Sequence, residues 1–235
     1  MGKSALVLFS GGQDSAVSLM WSLLNFSKVY TIGFKYNQRH IIEMECRINF
    51  LEHLTEKFPS ITNKLREDFV VDLSFISQLS ESALTDESAI CQPLGELPNT
   101  FVPGRNIFFF SAAATSAYSK GVKNLVGGMC ETDYSGYPDC RADTIKSLQE
   151  TLCKGMDFNL KIHTPLMRLT KAETWQKALE MGGRDFVEMV RLETHSCYLG
   201  KRDKEYAWGY GCNNCPACVL RREGYKQFLE KCSEL

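Results

Sequence analysis

A six-residue loop near the N-terminus, residues 10–15 (SGGQDS), constrains the fold of this chain more than any other feature. An apolar run of strand type, residues 5–9 (ALVLF), comes directly before it. The residues that follow the loop at the spacing of one helix face are Val17, Met20, Trp21 and Leu24. The glycines therefore predict a sharp turn from a strand into a helix. A helix that begins there directs unpaired N–H groups and its positive dipole end into the loop, which suits phosphate.

Each residue type in the loop has a physical role in nucleotide binding. Gly11 and Gly12 allow close approach of the backbone to phosphates, and serine hydroxyls add donors. Asp14 would repel phosphate, so its expected role is to hold a Mg²⁺ ion that bridges the oxygens. We predict that the ATP-binding residues are Phe9, Ser10, Gly11, Gly12, Gln13, Asp14 and Ser15. The alternative is a structural turn with an N-capping aspartate or serine.

The loop differs from the G-x-x-x-x-G-K-[ST] phosphate loop, because no such string with its phosphate-reaching lysine occurs in the chain. It resembles instead the pyrophosphate loop of the ATP-pyrophosphatase superfamily. Members of that superfamily release pyrophosphate and attach AMP to a substrate oxygen. The resemblance implies a Mg²⁺–ATP site at the N-terminus.

Charge and composition exclude several classes of protein. The 235 residues include 44% hydrophobic ones, enough for one sizeable domain with a small appendage. A net charge of −1 favours neither nucleic acid nor an anionic membrane as partner. The chain has no apolar run near the ~20 residues that span a bilayer, and it starts with a strand instead of a signal peptide. Ten cysteines without an export signal indicate a reducing compartment, so we expect a cytoplasmic protein.

Strand and helix patterns alternate along the chain, which predicts a parallel sheet with helices on both faces. We predict further strands at 29–34, 69–73, 124–127 and 160–163. One helix is expected to bury Ile41, Met44, Ile48, Leu51, Leu54 and Phe58. The segment that begins at residue 107 is apolar all round, which predicts a buried central helix. A capping box at 170–173 opens a helix that buries Ala172, Trp175 and Leu179 and stops at Gly182-Gly183.

Two polar segments interrupt this alternation. Residues 74–105 form a longer connection than compact domains commonly contain, which is typical of a functional lid. Residues 131–141 follow the predicted strand 124–127, and ligands of open α/β sheets bind at the carboxyl ends of strands. The second segment is therefore expected to contact a ligand.

Four cysteines near the C-terminus, Cys197, Cys212, Cys215 and Cys218, combine one thiol with a C-x-x-C-x-x-C run. Four thiolates at such spacing suit a closed, structural Zn²⁺ site. An iron–sulfur cluster is the alternative, because some RNA-thiolating relatives of pyrophosphate-loop enzymes carry one. A redox pair would not account for four cysteines. We assign residues 1–190 to a nucleotide-binding α/β domain and residues 191–235 to a small zinc-binding region.

Several further strings resemble the 7-cyano-7-deazaguanine synthase family over nearly the whole chain. They are SGGQDS at 10–15, NQRH at 37–40, LPNTFVPGRN at 97–106, the segment 131–141, HTPLM at 163–167 and the terminal cysteines. One departure is FKYN at 34–37, where family members commonly have an acidic residue and a glycine before the Gln-Arg-His string. The resemblance implies a Rossmann-like, doubly wound, mostly parallel α/β sheet of the adenine nucleotide alpha hydrolase-like type, with a small four-cysteine zinc region.

The resemblance also implies an activity. Members ligate 7-carboxy-7-deazaguanine with ammonia, using ATP, and form the nitrile 7-cyano-7-deazaguanine for queuosine biosynthesis. Adenylated carboxylate and amide intermediates are expected, together with a structural Zn²⁺, Mg²⁺, a homodimer and no nucleic-acid partner. The remaining length has no room for a glutamine-hydrolysing domain, so free ammonium is the simplest nitrogen donor.

Residue roles follow from this chemistry. We assign catalytic roles to Asp14, Ser15, Arg105 and Arg141, the arginines facing phosphate or carboxylate unless they form surface salt bridges. Carboxylates match the paired donors of a guanine-like edge, and tyrosines can stack on its ring. The expected substrate-binding residues are Glu131, Asp133, Tyr134, Tyr137 and Asp139.

Two other classes of function remain open on sequence grounds. A tRNA-thiolating pyrophosphate-loop enzyme would need a catalytic cysteine pair and a basic RNA surface, and it would carry a metal or iron–sulfur site. A non-enzymatic zinc module that binds nucleic acid would use the first 190 residues only as scaffold. The neutral charge balance weighs against the first, and the polar loops at strand ends weigh against the second.

Overall fold

A five-stranded parallel sheet organises the chain in the computed structural model, which describes residues 3–39, 42–86, 88–91, 97–132 and 136–233. The strands are β1 Ser4–Leu8, β2 Lys28–Lys35, β3 Leu65–Asp72, β4 Asn124–Val126 and β5 Lys161–His163. They lie in the order β3-β2-β1-β4-β5, the order of doubly wound nucleotide-binding sheets. The predicted α/β fold is confirmed.

The helices cover both faces of this sheet. They are α1 Gln13–Asn25, α2 Ile42–Lys57, α3 Pro59–Thr62, α4 Ile76–Leu79, α5 Arg105–Ser119, α6 Ala142–Met156, α7 Lys171–Glu193 and α8 Pro216–Ser233. Two short antiparallel strands, β6 Glu205–Tyr206 and β7 Gly209–Tyr210, precede α8. Among the described residues, every helix is too short or too polar to traverse a bilayer.

The central strand β1 serves two hydrophobic cores, because successive side chains of a strand point to opposite faces. Ala5, Val7 and Phe9 pack with helices α1, α2, α7 and α8 on one face. Leu6 and Leu8 pack with α5 and α6 on the other. Parallel pairing of β1 with β2 and β4 brings the carboxyl ends of these strands to one edge. The loops that follow them therefore meet there.

The predicted buried face of α2 is wrong at one position. Ile48 is 52% exposed, whereas Arg47 is buried beside Phe50 and Leu54. The guanidinium of Arg47 forms an ion pair with Asp68 of β3 and donates to the backbone oxygen of Phe9 at 2.8 Å. These partners satisfy a buried charge, so the helix turns its charged residue inward and Ile48 outward. Ile41 lies outside the described residues.

Two other predicted helix faces need correction. Leu24 is exposed because the buried face of α1 includes Val17, Met20 and Leu23. Helix α5 is not buried all round, since Ile107 is 41% exposed and Tyr118 is exposed as well. Its buried side chains are Asn106, Phe110, Ala113, Ala114 and Ala117. A helix on the outside of a sheet needs only one apolar face.

Helix α7 begins at the predicted capping box. Thr170 Oγ1 accepts a hydrogen bond from the Glu173 N–H, and Glu173 accepts one from the Thr170 N–H at 2.7 Å. The predicted stop at Gly182-Gly183 coincides with a break between two helical segments of α7. Gly183 has φ 67° and ψ −166°, so the helix kinks there and resumes to Glu193. Helix α7 thus passes residue 190, and the domain boundary at that position stays a prediction.

Candidate active site and metal centre

A cavity of about 730 Å³ opens at the carboxyl edge of the sheet, within the size range of small-molecule sites. It lies where the loops after β1, β2 and β4 meet the N-terminal ends of α1, α2 and α5. The predicted ATP-binding, catalytic and substrate-binding residues that line it are Phe9, Ser10, Gly12, Gln13, Asp14, Ser15, Arg105 and Tyr137, and the predicted metal ligand Cys197 lines it as well. The structure therefore brings the ATP loop together with one of the two predicted arginines.

The loop after β1 is held by its own hydroxyls and by close backbone packing. Ser15 Oγ donates to the Gly12 oxygen at 2.9 Å, and the Ser10 and Ser15 hydroxyls are 3.1 Å apart. Gly11 has φ 92°, and a Cβ there would lie 2.5 Å from the Glu43 oxygen. Gly12 is the N-cap of α1, without a side-chain capping bond. This geometry leaves the start of the helix accessible to a ligand and does not support the N-capping alternative.

A lysine from a distant element reaches the loop. Lys171 Nζ lies 2.8 and 3.0 Å from the two carboxylate oxygens of Asp14, and its side chain is only 8% exposed. Sequence reasoning missed this residue, although the capping box placed it at the first position of α7. The arrangement supplies the cation that the loop itself lacks, close to the expected phosphate position.

The N-terminal end of α5 supplies a second cation. Arg105 lies over the ring of Tyr36, with 5.7 Å between the guanidinium carbon and the ring centroid. Burial opposes its charge, but Tyr36, Tyr137 and Asp139 outweigh burial and raise the pKa of Arg105. Its buried Nε has no hydrogen-bond partner among the described residues. Arg105 is therefore a permanent positive charge beside the cavity with a donor available to an anion.

The remaining predicted substrate residues occupy other positions. Glu131 accepts a hydrogen bond from the Ala142 N–H at 3.0 Å, at the start of α6. Asp139 is buried and accepts one from the Asn106 N–H at 3.0 Å, at the start of α5. Arg141 is exposed at the N-cap of α6. These three residues are not part of the cavity lining, and their substrate roles stay predictions. Asp133 and Tyr134 lie outside the described residues.

Glu43 is a cavity residue that sequence reasoning missed. It belongs to the first turn of α2, and its backbone oxygen packs against Gly11. Burial raises the pKa of Glu43 to about 7, against the opposing effect of Arg105. No local pattern distinguishes Glu43 from the exposed acids of α2, because only tertiary packing brings it to the loop.

We expect Glu43→Gln to remove a pH-dependent loss of stability. A carboxyl group whose pKa is raised in the folded state stabilises the fold below the unfolded pKa and loses that contribution as pH rises through 7. At roughly 1.4 kcal/mol per pKa unit, the rise from 4.5 to about 7 contributes about 3–4 kcal/mol in full, of which about 2–3 kcal/mol is lost between pH 5 and pH 8. Urea unfolding at pH 5 and pH 8 should therefore show a smaller decrease in the free energy of unfolding for Glu43→Gln than for the parent.

The matched control is Glu45→Gln, at an exposed position of the same helix. It should retain the parental difference between pH 5 and pH 8. Equal differences for the parent and for Glu43→Gln would contradict the raised pKa.

The four predicted metal ligands converge. The Sγ atoms of Cys197, Cys212, Cys215 and Cys218 all lie within 4.8 Å of one another. The Cys212 and Cys218 sulfurs are 3.8 Å apart, which matches the sulfur–sulfur edge of about 3.8 Å expected for a tetrahedron with 2.3 Å Zn–S bonds. The Asn214 and Cys215 N–H groups donate to the Cys212 sulfur at 3.4 and 3.2 Å. The cluster therefore fits a four-sulfur metal site.

The C-terminal segment that carries the four cysteines directly contacts the loop at residues 10–15. The His195 N–H donates to the Gly11 oxygen at 3.1 Å. Arg221 of α8 is buried and donates to the oxygens of Val190 and Arg191, at the end of α7. The segment between α7 and the C-x-x-C-x-x-C run thus forms one wall of the cavity, through His195, Ser196 and Cys197.

Comparison with known proteins identifies the family. A family model described as "Queuosine biosynthesis protein QueC" matches residues 4–229. The chain belongs to the QueC family. A 7-cyano-7-deazaguanine synthase of Zymomonas mobilis is 54% identical over 226 residues, covering 96% of this chain and 89% of that protein. One of Paraburkholderia phytofirmans is 52% identical over 234 residues, covering 99% and 96%.

Solved structures support the fold of this QueC family chain. A 4-thiouridine synthetase in complex with RNA and bound ATP aligns with a TM-score of 0.53 and 16% identity. The alignment covers 95% of this chain and 53% of that one. At this identity the likeness concerns the fold alone. The predicted family and fold are confirmed, and the unusual residues 34–37 do not remove the chain from the family.

Proposed function

We propose that this chain is an ATP-dependent carbon–nitrogen ligase that converts 7-carboxy-7-deazaguanine and ammonia to 7-cyano-7-deazaguanine in queuosine biosynthesis. The observation that carries the proposal is the cavity, in which the SGGQDS loop, Lys171 and Arg105 surround space for a nucleotide and a small acid. Full-length similarity to 7-cyano-7-deazaguanine synthases supports the choice of substrate.

The chemistry requires two activations at one site. The substrate carboxylate attacks the α-phosphorus of ATP, pyrophosphate leaves, and ammonia then displaces AMP to form an amide. The amide oxygen attacks the α-phosphorus of a second ATP, pyrophosphate leaves, and loss of AMP together with the two N–H protons gives the nitrile. Both steps require the same alignment of an oxygen nucleophile with the α-phosphate, so one cavity can serve both.

The residues of the chain would position the reacting groups and neutralise the charge of the phosphates. The loop N–H groups and the Ser10 and Ser15 hydroxyls would bind the pyrophosphate portion, with Lys171 close to it. Arg105 would face the substrate carboxylate or the α-phosphate. Asp14 would hold Mg²⁺, which neutralises phosphate charge when bound.

Other features of the proposal rest on the residue chemistry and on the resemblance. We propose Zn²⁺ as the ion of the cysteine cluster, with a structural role, because four thiolates leave no open position. No disulfide joins any of the cysteines that the structure describes, which supports a cytoplasmic location. The resemblance supports a homodimer. The resemblance and the net charge of −1 support the absence of a nucleic-acid partner.

The test is a product analysis with purified protein. Incubation with ATP, ammonium and 7-carboxy-7-deazaguanine should yield the nitrile and two AMP per nitrile, measured by mass spectrometry. Parallel incubation with tRNA and a sulfur donor should yield no thiolated nucleoside. Release of ADP and inorganic phosphate in place of AMP would refute the mechanism, and thiolated tRNA would favour the alternative function.

A further inference from the structure

Gln13 is a buried amide whose side chain has no partner among the described residues. It is the first residue of α1 and is 2% exposed, and neither its Nε2 nor its Oε1 has a hydrogen-bond partner in that part of the chain. Leaving a buried polar group unsatisfied costs about 1–3 kcal/mol, so such groups usually have partners. Gln13 is also part of the cavity lining. Its unused hydrogen-bonding capacity therefore indicates a ligand.

The chemistry of the amide restricts the ligand group. A primary amide offers two N–H donors and one carbonyl acceptor, and it is neutral. The cations Lys171 and Arg105 and the loop hydroxyls already suit phosphate at this site. A neutral group with a donor and an acceptor instead complements a ligand that presents an acceptor beside a donor, as a carboxamide does.

The position of Gln13 places it at the reacting end of the ligands. It directly precedes Asp14 and Ser15, to which the proposed function assigns Mg²⁺ and the pyrophosphate portion of ATP. The acid that attacks the α-phosphorus must lie within about 3–3.5 Å of it. The Gln13 amide is therefore expected near the carboxylate of the substrate, and away from the opposite edge of its deazaguanine ring.

We propose that Gln13 orients the reacting carbon group of the substrate in both activation steps. In the first step its Nε2–H donates to the carboxylate oxygen that does not attack phosphorus, and in the second step it donates to the amide oxygen before that oxygen attacks. Its Oε1 accepts an N–H from incoming ammonia and then from the amide intermediate. This assignment rests on the proposed function and specifies how its cavity holds the substrate.

A carboxamide is suited to this task because the reacting group changes from an acid to an amide. A glutamate would repel the carboxylate of the first step, although it would still accept from the amide N–H of the second. An apolar side chain would offer neither bond. The two substitutions therefore affect the two steps differently.

The test uses Gln13→Met and Gln13→Glu with two substrates, 7-carboxy-7-deazaguanine and 7-amido-7-deazaguanine. For Gln13→Met we expect kcat/KM to fall about 10- to 100-fold with the amide, as expected for loss of hydrogen bonds to the reacting group. For Gln13→Glu we expect the larger decrease with the carboxylate. The Kd for ATP, measured by equilibrium dialysis, should stay within about threefold of the parental value, because Gln13 is expected to contact ATP through its backbone N–H and not through its side chain.

Ser18→Ala is the matched control. Ser18 lies on the same helix, and its Oγ is also buried without a partner among the described residues, but it is not part of the cavity lining. This variant should retain the parental kinetics with both substrates. A general effect of disturbing α1 would instead slow all three variants alike.

The outcomes separate this inference from the proposed function. If the parent forms no nitrile, the proposed function fails. If the parent is active and Gln13→Met has parental kcat and KM with both substrates, the orienting role is wrong. If Gln13→Met does not fold, Gln13→Glu decides: a selective loss with the carboxylate supports the role, and equal loss with both substrates overturns it.

Discussion

Asp14→Ala is expected to lower kcat/KM for nitrile formation at least about 10²- to 10³-fold, the range observed when one group that stabilises transition-state charge is removed. Asp14 is the only carboxylate of the SGGQDS loop, and it lies 2.8 Å from Lys171 Nζ. Its loss would remove the proposed Mg²⁺ ligand and the partner that positions Lys171. The measurement is AMP release at saturating ATP over a series of Mg²⁺ concentrations.

Asp185→Ala provides the control for this substitution, because Asp185 is exposed on α7 and is not part of the cavity lining. It should keep the parental rate. Combining Asp14→Ala with Lys171→Met should cost less than the sum of the two single effects, since both act through one ion pair. A parental rate for Asp14→Ala would remove the loop from the catalytic site.

Cys218→Ala should have the second large effect, on metal content and stability. We expect the parent to contain one Zn²⁺ per chain and the variant to contain none. Cys197, Cys215, Cys218 and Trp208 are the buried members of a small hydrophobic cluster apart from the two cores that β1 serves, so the thiols account for much of the buried packing there. Zinc binding contributes about 10–16 kcal/mol to the folding of zinc-finger peptides, so its loss should lower Tm by roughly 10 °C or more.

Elemental analysis and thermal unfolding measure both quantities. Cys91→Ser is the control, because Cys91 is exposed and lies outside the cluster. It should retain the metal and the parental Tm. Iron with acid-labile sulfide in the parent would show that the zinc assignment is wrong and that the cluster alternative holds. A metal-free parent with the same Tm would show that the cysteines have no structural metal.

Sequence patterns predicted those parts of the fold that depend on local periodicity. Strand β1, the turn at Gly11 and the capping box of α7 all rest on short-range physics, and each lies where it was expected. The cysteine spacing predicted the cluster, because the C-x-x-C-x-x-C run restricts how three of its thiols can converge. These features need no knowledge of distant contacts.

Contacts between distant segments account for what was missed. The side of α2 that is buried depends on Asp68, whose ion pair allows Arg47 to face inward. Lys171 meets Asp14 across 157 positions in sequence. Glu43 lines the cavity because the first turn of α2 packs against Gly11. Neither residue spacing nor composition predicts that contact.

The hydrogen bond from the His195 N–H to the Gly11 oxygen affects both the metal requirement of the protein and the way in which it can be engineered. The cysteine-bearing C-terminal segment shares backbone contacts with the nucleotide loop, so the two cannot be exchanged as separate modules. If the cysteines hold the proposed Zn²⁺, loss of the metal should lower the affinity for ATP as well as the stability of the C-terminal segment. Under the proposed function, the supply of zinc would then limit formation of the nitrile even when ATP is abundant.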